Sequence, residues 1–206
     1  MGRTTVLAGS PDAAREVLAG REVALAASAD LVIVPTAAAF SGATASVVSL
    51  TERLAGLEAR VEGVMVGDRA AALEPYFARR VARADVVVLT DGSALHARSV
   101  WRDTPLGEAI RDAGLVVAIG SVGSVLFEVM IDPRGGAPTT GLAYRRGLVV
   151  TAPAPPEQLA RTRALLGAGV ALVVLGRDGA LVGDGDRWRV VRDDVVVTRG
   201  ERPAAL

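Results

Sequence analysis

Cysteine, lysine and asparagine are all absent from the 206 residues, and histidine occurs once, as His96. The missing cysteine excludes disulfides, thiolate zinc sites and a cysteine nucleophile. A lone imidazole excludes a zinc site built from several histidines of one chain. All 23 basic side chains are arginines, which reads as the codon usage of a GC-rich genome. Aromatic residues make up only 3% of the chain, and the formal charge is zero, with arginines interleaved among Asp and Glu. A nucleic-acid surface needs clustered basic side chains and aromatic platforms, so no nucleic-acid partner is expected. No apolar run approaches the roughly 20 residues of a membrane helix, so no membrane association is expected. The first residues lack the charged-then-apolar layout of a signal peptide, and the expected location is cytoplasmic.

Half of the sequence is apolar, enough for a sizeable core, and the length fits one domain spanning residues 1–206. Short β-branched runs alternate with Ala/Leu/Arg stretches, the pattern of βα units on a parallel sheet. Strands are expected at 6–8, 31–35, 61–66, 85–89 and 115–119. Helices are expected at 11–18, 46–59, 73–84, 105–113 and 123–131, with Pro75 tolerable only in a first turn. After a loop at 135–141 the pattern predicts a strand at 147–151, a helix near 157–166 and a strand at 170–175. Short strands near 180–182, 188–191 and 195–198 follow, separated by turns. The expected architecture is a doubly wound, mostly parallel α/β sheet with a small C-terminal antiparallel meander.

The segment 115–131, LVVAI-GSVGS-VLFEVMI, carries the chemistry. A buried strand runs into a Gly-flanked turn with Ser121 at its apex, between Gly120 and Gly123. This is a nucleophile-elbow context, although Ile119 replaces the usual first glycine. A serine on such a turn is expected to be backbone-strained and to face a cleft. A helix opening just after it would offer partial positive charge to an oxyanion. The bland reading is a strand-to-helix turn with a capping serine, of the kind that often binds anions.

Several segments in order are similar to one family. LVIVPTAAA (31–39) resembles a strand ending in Pro-Thr-Ala. ADVVVLTDGSAL (84–95) resembles a strand followed by a Gly-Gly-x-Gln loop, and 103–124 a Thr-Pro helix, strand and Gly-Thr-Ser-Ala-Gly-Ala elbow. Met130-Ile131, ARTRALL (160–166) and GRDGALVGDGD (176–186) fall where that family has Met-Ile, an Arg-x-Arg helix and a late Gly-Ile-Asp-Glu segment. The chain thus resembles the cyanophycinase and dipeptidase E serine peptidases, of flavodoxin-like, class I glutamine amidotransferase-like fold. The resemblance implies Ser121 as nucleophile and the amides of Val122 and Gly92 as oxyanion donors. It also exposes losses. The loop Gln becomes Ala94, and the first loop Gly becomes Asp91. The paired N-terminal glycines are reduced to Gly9-Ser10. No His stands in 151–158, and Arg177 stands where the family has its acid. A serine hydroxyl needs a base, and the base an orienting group.

His96, four residues after Gly92, is a relocated base or an uninvolved side chain. Arg98 and Arg102, with Trp101 between them, are an anion clamp above the elbow or a solvated face. Asp184 and Asp186 belong to a turn, because the ligand ladder of a calcium loop is missing. Asp91, Glu128 and Asp132 are carboxylates that could approach the site. The leading expectation is a catalytically impaired homologue that keeps a pocket for a small peptide or small molecule. The alternatives are an active serine hydrolase using Ser121 with His96 as base, and a non-catalytic module holding an anion on the turn. Amidotransferase activity is not expected, because the usual nucleophile of the amidotransferases that the fold resembles is a cysteine. No cofactor and no metal are expected, and a homo-oligomer is compatible with the sequence.

Overall fold

The computed structural model describes residues 3–23, 25–166, 170–185, 187–199 and 204–205. The first half is a βα alternation. Strand β1 (Thr4–Ala8) leads into helix α1 (Pro11–Ala19), and β2 (Asp30–Val34) through a 3-10 turn at Thr36–Ala38 into α2 (Ala43–Leu54). Strand β3 (Arg60–Gly63) precedes α3 (Arg69–Leu73) and α4 (Pro75–Ala82). Strand β4 (Val86–Leu89) precedes α5 (Ala94–Trp101) and α6 (Pro105–Asp112), and β5 (Leu115–Ile119) ends the series. These five strands are parallel, in the spatial order β1-β5-β4-β2-β3.

The helix starts follow from local chemistry. The Ser10 hydroxyl accepts from the Ala13 amide (3.2 Å) with Pro11 in the first turn of α1, and Thr104 and Pro105 start α6 in the same way. The single helix expected over 73–84 is instead two. Glu74 is extended (φ −70°, ψ 120°), as a residue before proline prefers, and Pro75 starts α4. The helix expected over 46–59 begins earlier and ends at Leu54, and the stretch after Gly92, read as a loop, becomes α5.

The largest departure is at 120–131. Instead of an amphipathic helix the chain forms a 3-10 run, Gly120–Leu126, and then strand β6 (Val129–Ile131), paired with β7 (Pro138–Thr140) inside the expected loop. Residues 122–127 are all buried, so no polar face exists for a helix to turn to water. Two glycines and four β-branched residues also lower the helical propensity there.

The C-terminal strands divide between two sheets. Strand β8 (Val149–Thr151), followed by helix α7 (Pro156–Leu165), pairs with β9 (Leu172–Leu175), against which β12 (Val195–Arg199) lies antiparallel. Strand β10 (Ala180–Asp184) joins the main sheet antiparallel to β1, β11 (Arg187–Arg192) pairs with β10, and β13 (Ala204–Ala205) with β11. Asp184 ends β10; Asp186 lies outside the described residues.

Strands β1, β2, β4 and β5 are buried almost throughout, as the continuous apolar runs of β2, β4 and β5 predict, while the edge strand β3 is largely exposed. Val6, Leu31, Ile33, Val88 and Val117 pack against α1 and α2. Leu7, Val32, Val34, Val87 and Val116 pack on the opposite face, against α5, α6 and the 3-10 run. The alternation follows from the period of two along a strand. Among the described residues no helix is long and apolar enough to cross a membrane.

Candidate functional site

Strands β4 and β5 are parallel neighbours with Leu89 opposite Ala118, so the residues that follow them emerge side by side. Loops at the carboxyl edge of a parallel sheet are where such folds bind ligands. After β4 come Thr90, Asp91 and Gly92; after β5 come Gly120 and Ser121.

Both glycines are required by the geometry. Gly92 has φ +145°, and a Cβ there would overlap the Ala37 carbonyl, whose oxygen also accepts from the Ser93 amide (2.7 Å). Gly120 has φ +66°, and a Cβ there would overlap the Asp91 carboxyl group. The backbone strain expected at Ser121 is not seen as a positive φ there; the left-handed residue of the turn is Gly120.

The result is a cluster around one oxygen. Asp91 Oδ1 accepts from the amides of Gly92 (2.8 Å) and Ser121 (2.9 Å) and lies 2.9 Å from Ser121 Oγ. Ser121 Oγ is also 2.7 Å from the Gly92 carbonyl, so its single proton has two acceptors and no amine or imidazole base among its bonded partners. The buried Ser124 hydroxyl donates to the Ser121 carbonyl (2.8 Å) and holds the turn. Gly92 was expected to supply an oxyanion donor, and its amide does face this point. The second amide there is that of Ser121 and not that of Val122, because a 3-10 run replaces the helix start.

A cleft of about 210 Å³ opens over the cluster, lined by Asp91, Gly120, Ser121, Thr151, Pro153 and Arg177 among others. Residues 151–153, the start of the stretch 151–158 where the resemblance would place the base, and Arg177, where it would place the acid, thus line the same cleft as the serine. Neither carries the expected chemistry: the first is Thr-Ala-Pro, the second a cation.

His96 is engaged elsewhere. Its Nε2 is 2.7 Å from the Gly67 carbonyl, which can only accept, so Nε2 carries the proton. The ring packs on Phe40 with centroids 4.5 Å apart. Ser93 caps α5 by accepting from the His96 amide (3.2 Å), and this early helix start carries the imidazole to the 67 segment. The expected contact with Ser121 is not formed.

Other candidates also lie apart from the cluster. Arg102 donates to the Gly141 carbonyl (2.9 Å), Trp101 is fully buried, and neither Arg98 nor Arg102 lines the serine cleft. Asp132 pairs with Arg134 (2.9 Å), whose guanidinium holds the carboxyl below the usual range. Glu128 lines a separate hollow. Among the described residues no group of three or more His, Cys, Asp or Glu could hold a metal.

No family model and no curated protein matches the chain. Solved structures do. A peptidase from an acI-B1 Actinobacterium superposes with a TM-score of 0.74 at 19% identity, over 99% of this chain and 95% of that one. A candidate Peptidase E protein from Listeria monocytogenes EGD-e gives 0.61 at 12% identity, over 98% and 100%. The chain shares the fold of these peptidases. At such identities the likeness concerns the fold, and the chemistry rests on the residues themselves.

Proposed function

We propose that the protein is a homologue of the dipeptidase E and cyanophycinase peptidases in which hydrolysis is impaired and the cleft over Ser121 binds a short peptide or similar small molecule. The observation that carries this is the position of Asp91 Oδ1, on which the amides of Gly92 and Ser121 and the Ser121 hydroxyl converge. An oxyanion site works by offering unoccupied donors to charge that develops in the transition state. Here a resident anion already holds the donors. The segment 151–153 that borders the cleft has no imidazole, and Arg177 reverses the charge expected of an orienting acid. The same arginine suits the cleft to a ligand carboxylate or carbonyl.

The 2.9 Å contact between Asp91 and Ser121 also supports a second reading, an active hydrolase in which Asp91 in place of His96 takes the serine proton. A carboxylate is a weaker base than an imidazole, and it would have to leave the amides to make room for the oxyanion. Labelling with a fluorophosphonate probe separates the two. The first reading expects the wild type to stay unlabelled, like Ser121→Ala. Rapid labelling that disappears in Ser121→Ala would overturn it.

A further inference from the structure

Strand β3 ends the main sheet, and among the described residues no strand lies on its outer side. Its inner side is fixed by the parallel ladder with β2. The Arg60 amide donates to the Ala29 carbonyl (2.9 Å) and the Val64 amide to the Ile33 carbonyl (2.8 Å). Backbone groups of successive strand residues point to opposite sides, so Arg60, Glu62 and Val64 turn theirs to β2. The N–H and C=O groups of Val61 and Gly63 point away from the sheet, an open template for another strand. The side chains alternate between the two faces. Val61 packs on the apolar layer of α1 and α2, and a Cβ at Gly63 would come within 2.7 Å of Val47 on α2. Glu62 lies on the other face, where Arg80 of α4 donates to it (2.6 Å) and also to both oxygens of Asp30 (2.9 and 2.8 Å). Arg60, two residues before Glu62 and so on the same face, is exposed and has no ion pair among the described residues.

We propose that β3 pairs antiparallel with β3 of a second copy of this chain, about a two-fold axis at Val61, joining the two main sheets edge to edge. The charge pattern selects this occupant and this register. Charged side chains of one sign on an edge strand keep other strands away, but Arg60 and Glu62 have opposite signs two positions apart. With the axis at Val61, Arg60 of each copy stands opposite Glu62 of the other, and the symmetry makes the ion pair twice. The backbone agrees. Val61, whose groups point outward, forms the central hydrogen-bonded pair, and Arg60 and Glu62 form the non-hydrogen-bonded pairs beside it, where Cα atoms are only about 4.5 Å apart. An axis at Gly63 would use the same backbone groups but set Glu62 opposite Val64, which is buried and apolar. Exposed apolar side chains border this edge: Met65 two residues past β3, and Tyr76 one helical turn before Arg80 on α4. Strands β2 and β4 separate β3 from β5, so the pairing leaves the Ser121 cleft open.

Sedimentation equilibrium of the full chain is the test, and a concentration-dependent dimer is expected. Val61→Pro removes an N–H that β2 does not use, a change that edge strands tolerate, and should weaken the dimer by roughly tenfold or more. Arg60→Glu and Glu62→Arg each turn two attractive pairs into two repulsive ones and should weaken it by roughly tenfold or more. An equimolar mixture of these two variants restores both opposite-charge pairs and should recover a dimer made of one copy of each. The chain has no cysteine, so single cysteines report the register. Arg60→Cys mixed with Glu62→Cys should give a disulfide-linked dimer on oxidation. Neither variant alone should do so, because like positions then lie beyond the Cα separation of about 7 Å that a disulfide can bridge. Circular dichroism establishes that each variant is folded. A wild type that is monomeric at every concentration, or a dimer indifferent to Val61→Pro and to both charge variants, would overturn the proposal. Failure of the mixed charge variants to pair would overturn the register.

Discussion

Asp91 Oδ1 stands 2.9 Å from the hydroxyl oxygen of Ser121 and 2.9 Å from the amide nitrogen of the same residue, so one carboxylate oxygen holds the serine at both its side chain and its backbone. Adding the Gly92 amide at 2.8 Å gives the oxygen three donors, a set usually associated with an anion that is meant to stay. The arrangement has a topological cause. Parallel neighbours β4 and β5 deliver their first loop residues to one place, and Gly120 has no Cβ to keep the carboxylate out.

Removing that carboxylate should expose what it covers. Asp91→Gly frees the amides of Gly92 and Ser121, and oxyanion donors of this kind are worth about 100-fold or more in rate each. The expected outcome is faster fluorophosphonate labelling than in the wild type, lost again in the Asp91→Gly, Ser121→Ala double variant. The rate should remain far below that of a complete triad, because no base is restored. A decrease in labelling would identify Asp91 as the base and support the second reading.

The fit between Gly120 and Asp91 is measurable as a coupling. Gly120→Ala places a methyl group at φ +66° and into the Asp91 carboxyl group. The backbone alone costs about 1–2 kcal/mol, and the overlap adds to it. In Asp91→Gly the overlap disappears, and the same substitution should cost only the backbone part. Urea denaturation of the four variants is expected to give a coupling energy of about 1 kcal/mol or more. Strict additivity would show that the two residues do not press on each other.

The sequence made the parallel sheet legible because its inner strands are buried on both faces and read as nearly unbroken apolar runs, as in 31–35, 85–89 and 115–119. The segment 122–127 is buried just as thoroughly, and periodicity cannot separate a helix from an irregular run when no side faces water. The position of Ser121 was readable from its glycines and from the order of flanking segments. The role of Asp91 was not: an Asp in place of a loop glycine signals a change, but its contact with a residue 30 positions away depends on strand register. The place of His96 depends on a local signal of another kind: Ser93 is a helix cap, which starts α5 at Ala94 and turns the imidazole toward Gly67.

Support for the Gly92 loop comes from a buried chain of bonds below it. Trp101 Nε1 donates to Thr36 Oγ1 (3.1 Å), which donates to the Val66 carbonyl (2.7 Å), and the 3-10 turn that Thr36 begins carries the Ala37 carbonyl against Gly92. Thr36→Val keeps the shape and removes the oxygen, leaving an indole N–H and a carbonyl unpaired. Each orphan costs about 1–3 kcal/mol, so a total loss of about 2–6 kcal/mol is expected in chemical denaturation. Thr36→Ser should recover most of it. A loss below about 0.5 kcal/mol for Thr36→Val would mean that water enters and replaces the hydroxyl.

Tyr144 gives the protein a readable response to alkali. Burial raises its phenol from the ordinary value of 10.0 to about 12, and its hydroxyl makes only a long 3.4 Å contact with the Trp101 carbonyl. The folded state therefore holds the phenolic proton over a range in which the unfolded chain has lost it. The stability due to this shift is fully present below pH 10, falls as the pH rises above 10, and is gone once the pH passes through about 12. Tyr144→Phe should change stability at pH 7 by less than about 1 kcal/mol, since one weak bond is lost. Between pH 10 and 12 the wild type should lose about 1–2 kcal/mol relative to the variant, a figure below the full shift because the phenol is partly exposed and screened. Arg145 acts in the opposite sense, since burial lowers its guanidinium to about 10 and charging it is a cost that fades as the pH rises. That contribution is common to both proteins and cancels in their difference. Urea unfolding followed from pH 8 to 12 checks the prediction, and parallel stability curves for wild type and Tyr144→Phe would show that the phenol ionises as easily in the folded state as in the unfolded one.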